Sequence, residues 1–81
     1  METPIGKVIN YFGKAGVAVV ALSQPLQVGD RVKIIDGERE WEEEITSMQV
    51  DKKPIERGNA GDEVAIKVSG KAREGALLIR S

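Results

Sequence analysis

The 81 residues include neither histidine nor cysteine. That excludes Ser-His and Cys-His catalytic pairs, thiolate metal sites and disulfides, and leaves carboxylates, amines, guanidiniums and hydroxyls for chemistry. Carboxylates are densest between Asp36 and Glu44, where Asp36, Glu38, Glu40, Glu42, Glu43 and Glu44 face only Arg39. Glu42 and Glu44, two apart, share one face of an extended strand, an arrangement open to acid-base work or to a hard divalent cation. The spacing is not that of a calcium loop. A hairpin also splays such a run to both faces, so the competing reading is a solvated tip that discourages edge pairing. Acid-base catalysis further requires a pocket and a perturbed pKa, which a small domain filled by its own side chains offers poorly. The chain is therefore expected not to be an enzyme and to hold no cofactor and no metal.

The basic residues form the second set. Lys52, Lys53 and Arg57 fall in one irregular stretch, Arg73 in the last turn. If these meet at one end of the fold, they make a positive patch able to contact phosphates. Aromatic interleaving is sparse, since Tyr11, Phe12 and Trp41 are the only rings, so no base-stacking platform is evident. Tyr11 and Phe12 are adjacent, which sends one ring to each face of a regular strand and leaves one free to anchor a partner protein.

Twelve Lys and Arg balance 13 Asp and Glu for a net charge of -1, with 41% hydrophobic and 31% charged residues. That is a globular balance, with no global field toward nucleic acid or membrane. Met1 to Pro4 does not open a signal peptide, and no apolar run approaches the roughly 20 residues of a membrane helix. A soluble, cytoplasmic protein with no membrane partner is expected.

Short strands separated by glycine turns must position these residues. Ile5 to Phe12 reads as a strand, ended by Gly13-Lys14-Ala15-Gly16. Val17 to Leu22 is apolar on both phases, as in a strand covered on both sides. Val32 and Ile34 alternate against Arg31 and Lys33, and Asp36-Gly37 signals a tight hairpin. In Trp41 to Val50 the inward phase slips near Thr46-Ser47, which predicts a β-bulge there. Residues 52–62 read as an irregular link. Val64, Ile66 and Val68 point inward, and Ala76 to Arg80 forms the last strand. The prediction is one all-β domain over residues 1–81, a small closed antiparallel β-barrel of about six strands, because closure removes unpaired edges.

Several segments together resemble the second domain of elongation factor Tu-type translational GTPases, itself a small antiparallel barrel. They are Ile5-Gly6-Lys7-Val8, Leu26-Gln27-Val28-Gly29-Asp30-Arg31-Val32, Ile45-Thr46-Ser47-Met48-Gln49, Ala60-Gly61-Asp62-Glu63-Val64-Ala65-Ile66 and Arg73-Glu74-Gly75. The phosphate-cradling Gly-x-x-x-x-Gly-Lys-Ser/Thr pattern is absent, so nucleotide hydrolysis is not expected of this chain. The resemblance implies a non-catalytic binding module associated with the translation apparatus, through RNA or a ribosomal protein. It places the pocket for an aminoacyl-tRNA end at Gln49 and Lys52, with Asp51 where the family has an aromatic residue. The alternative is a protein-interaction barrel that partners a multidomain enzyme or GTPase in trans, using Phe12 or Tyr11.

Overall fold

The computed structural model describes residues 4–80. The expectation for the Met1–Pro4 segment falls mainly outside them. Ten strands and no helix occur among the described residues: β1 Gly6–Phe12, β2 Val17–Leu22, β3 Leu26–Gln27, β4 Arg31–Asp36, β5 Arg39–Glu44, β6 Met48–Val50, β7 Lys53–Ile55, β8 Arg57–Gly58, β9 Glu63–Lys67 and β10 Leu77–Arg80. No helix in this range is long and apolar enough to cross a membrane. Eight strands form one antiparallel sheet in the order β5-β4-β10-β1-β2-β9-β6-β7, and β3 pairs with β8 in a separate ribbon.

The sheet is open rather than a closed barrel of six strands. Its edges are β5 and β7, and both are defended by composition instead of pairing. β7 is three residues long and contains Lys53 and Pro54, the latter tolerated where an edge needs no donor. β5 carries four glutamates. The extra strands come from segments that read as irregular: β7 and β8 lie within 52–62, and β3 sits between two turns. No bulge forms at Thr46-Ser47. The strand stops after Glu44 and restarts at Met48, so Ile45 and Met48 are both buried across a break.

The bulge lies in β1 instead. Val8 pairs with Val20 and Asn10 with Val19, which leaves Ile9 as the extra residue. Val8 is buried, Ile9 is exposed, and the phase is reversed beyond it, so that Tyr11 faces the core and Phe12 faces out. Elsewhere the alternation holds: Val32, Ile34, Val64, Ile66 and Val68 are buried, joined by Ile5, Val20, Leu26, Met48 and Leu78. The β4–β5 connection is the two-residue loop Gly37-Glu38, with Gly37 at φ 64°. A left-handed first loop residue matches the twist of the flanking strands and favours glycine.

The sheet is strongly curled. Five strand spacings separate β5 from β9, about 24 Å if the sheet were flat. Yet Glu43 of β5 reaches the residues just after β9. Its Oε1 accepts hydrogen bonds from the Ser69 hydroxyl at 2.6 Å, the Ser69 N–H at 2.8 Å, the Trp41 indole at 2.9 Å and the Gly70 N–H at 3.3 Å. Trp41 lies flat on Gly70, where a Cβ would come within 2.8 Å of the ring. Any side chain at Gly70 would push the indole off its seat. Burial pushes the Glu43 carboxyl up, but the hydrogen bonds from Ser69, Trp41 and Gly70 outweigh it and hold the pKa below the usual glutamate value.

This clasp generates a prediction. A depressed pKa in the folded state means that the stabilisation is complete above the ordinary glutamate value of about 4.3 and is lost as pH falls through the lower folded value. Glu43→Gln is therefore expected to cost about 2 kcal/mol near pH 7, the scale of hydrogen bonds to a charged group. The gap between the variant and the parent should close as pH drops below about 4.3. Urea unfolding of both proteins across an acid pH series measures it.

Candidate functional site

The core-facing side of β2 is filled by Ala18, Val20 and Leu22; its other side carries Val17, Val19 and Ala21, only half buried. The register extends that outer face across the sheet. Asn10, Val19, Ala65 and Gln49 form one cross-strand row, and Phe12, Val17 and Lys67 the next. Phe12 is 51% exposed, the most exposed large apolar side chain among the described residues. With Ala15, Val17, Val19, Val50 and Ala65 it lines an open groove of about 470 Å³, rimmed by Gln49, Asp51, Lys52 and Glu63.

The rim includes a tight turn. Asp51 and Lys52 join Val50 to Lys53 as a two-residue loop, and both are left-handed, with φ of 51° and 66°. Consecutive positive φ values define the turn usually made by Asn-Gly. Here both positions carry side chains, which costs about 1–2 kcal/mol per residue, and both side chains border the groove.

Of the six residues expected to bind, Phe12, Gln49 and Lys52 meet at this groove, with Lys53 next along the hairpin. Arg57 and Arg73 do not join them. Arg57 lines a separate hollow with Pro25, Leu26, Gln27, Asp30 and Arg80. The Arg73 Nε donates to Asp36 at 3.2 Å, which ties it to the β4–β5 end. The basic residues thus form no single patch. Of the three rings, Phe12 is exposed while Tyr11 and Trp41 pack against the core, and Arg39 lies over the Trp41 ring at 5.1 Å.

The acidic run is dispersed in the same way. Glu40, Glu42 and Glu44 face outward and lie within 4 Å of Lys33 or Arg31, Glu43 turns inward, and Asp36 meets Arg73. No group of three or more acidic residues able to hold a metal occurs among the described residues. Sequence reasoning missed Val17, Val19 and Ala65 as part of a site. The signal was present in β2, which is apolar on both phases: a strand patterned for cover on two sides has core on one side only.

No family model matches the chain. It is 36% identical over 72 residues to an uncharacterised protease of Methanocaldococcus jannaschii, a match covering 88% of this chain and 18% of that protein. The chain thus spans less than a fifth of that relative's length. Its fold matches crystal structures of the C-terminal domain of a Geobacillus thermoleovorans protein described as a U32 peptidase. The selenomethionine form has a TM-score of 0.90 at 17% identity, covering 96% of this chain and 99% of that domain. A further crystal structure of that domain has a TM-score of 0.89 at 18% identity, covering 99% and 92% respectively. These likenesses overturn the resemblance to the translational GTPase domain, and with it the expected association with the translation apparatus. The segments that carried the resemblance explain the error, because two of them are one generic turn. Gly29 and Gly61 have φ of 98° and 93°, and the following Asp30 and Asp62 accept from the N–H of Gln27 and Asn59. Such a turn precedes strands in unrelated folds, so it reports β-structure rather than ancestry.

Proposed function

We propose that this chain is an accessory domain of a U32-type peptidase system, non-catalytic itself, and that it docks against the peptidase's catalytic part through the Phe12 groove. The observation that carries this reading is the apolar outer face of β2 and β9 with Phe12 exposed beside it. The choice of occupant is supported by the relative and the solved structures, which carry peptidase names, and by the more than four fifths of the M. jannaschii protein that lies outside the matching segment.

Area favours a large partner over self-association. The groove's few apolar side chains form a patch smaller than the roughly 300–600 Å² of the largest patch on an ordinary monomer. A stable free complex buries about 800 Å² per partner. A patch of this size serves as one part of a broader contact, or as a dock for a partner held nearby by a shared polypeptide, where the effective concentration reaches the millimolar range. The left-handed Asp51-Lys52 turn fits the same role, since it holds two polar side chains at the rim at a cost in stability.

Three outcomes are expected. The isolated domain incubated with casein yields no cleavage products; cleavage that survives repurification would refute the non-catalytic assignment. Calorimetric titration into the M. jannaschii protease lacking its matching 72 residues gives binding that Phe12→Asp weakens at least tenfold, about 1.4 kcal/mol. Stability changes by less than about 0.5 kcal/mol, because Phe12 is a surface residue. Lys52→Gly raises the unfolding free energy by about 1 kcal/mol by relieving the left-handed position, and weakens the same association.

A further inference from the structure

We infer that the hollow between the β3–β8 ribbon and the end of β10 is a carboxylate-binding site, with Arg57 and Arg80 as its cations. It shares no residue with the Phe12 groove and stands independently of the docking proposal.

Register and turn chemistry bring the parts together. In the ribbon Gln27 pairs with Arg57, so their side chains leave the same face. Arg80 arrives from the last strand and is fixed twice: its Nη2 donates to the Pro25 carbonyl at 2.7 Å, and its Nη1 lies 3.6 Å from Asp30 Oδ2. Asp30 Oδ2 is itself held by the Gln27 N–H at 3.0 Å. A guanidinium has five N–H donors in a planar fork, so Arg80 is oriented while donors remain for a ligand. Arg57 is different. Of the five arginines in the chain, Arg31, Arg73 and Arg80 have carboxylate partners and Arg39 lies on Trp41, whereas Arg57 has no ion-pair partner among the described residues. It faces the same hollow as Arg80.

Charge and size select the ligand. Two guanidiniums against the single carboxylate of Asp30 leave one uncompensated positive charge, which matches a monoanion better than a dianion. The planar fork of arginine suits the two oxygens of a carboxylate. At about 210 Å³ the hollow lies below the roughly 300–1,000 Å³ of sites for drug-sized molecules. It accommodates a carboxylate and the residue bearing it, as at the end of a peptide chain, and its exposed lining is polar, Leu26 being buried in the core.

The test is an NMR titration of the arginine Nε–H resonances with N-acetyl-leucine, N-acetyl-leucinamide and inorganic phosphate. The carboxylate is expected to shift Arg57 and Arg80 saturably and the amide to leave them unmoved. Arg57→Gln should weaken the response at least tenfold while backbone resonances elsewhere stay in place; Arg31→Gln, in the β4–β5 ladder, should have no effect. Equal shifts with the amide, an unchanged response in Arg57→Gln, or binding of phosphate without binding of the carboxylate would each overturn the assignment.

Discussion

One carboxylate holds the curl of the sheet. Glu43 sits on an edge strand, where a charge pointing inward is ordinarily a device against aggregation. Here it also replaces a ladder, collecting two backbone N–H groups, a hydroxyl and an indole N–H on one oxygen. Backbone pairing at this point would close the sheet into a barrel; a side-chain clasp brings the ends together and leaves the strand edges distinct. The inner faces of β4, β10, β1, β2 and β9 therefore wrap a single core, and the outer face of β2 and β9 is left facing away from it. The groove depends on that geometry, because Phe12, Val19, Ala65 and Gln49 share a surface only where these strands lie side by side.

Charge is distributed with similar economy. A near-neutral total conceals an acidic hairpin whose outward glutamates are answered across the ladder by Arg31 and Lys33, while Asp36 meets Arg73 from the last turn. Such exposed pairs add little to stability individually. Their effect is to prevent β5 from presenting an unbroken negative strip, so the acidic run is a property of the sequence more than of the surface. Arg57, by contrast, has no ion-pair partner among the described residues.

Much of the fold was legible because local chemistry decided it. The inward phases of β4 and β9 followed from alternation, and the hairpin at Gly37 from its turn residues. The openness of the sheet was not legible, since it rests on Glu43 meeting Ser69 and Gly70, residues 26 and 27 positions away, and no local pattern marks which of the six acids makes that contact. The site was half legible. Aromatic exposure singles out Phe12, and the family resemblance Gln49 and Lys52, but they converge for a third reason, the sheet register. Arg57 and Arg73 were grouped with the lysines because they lie in turns, and turns near in sequence character need not be near in space. The family resemblance failed at the same level, by reading shared turn chemistry as shared descent.

The bulge at Ile9 carries a consequence beyond β1 itself. If Ile9 paired with Val19 in place of Asn10, regular alternation from Val8 would carry Phe12 into the core and send Tyr11 outside, and the groove would lose its aromatic wall. The bulge thus decides which of two adjacent rings is displayed, with no change of residue in the strand. Pairing register in the first strand thereby determines the displayed surface separately from the identity of the side chains.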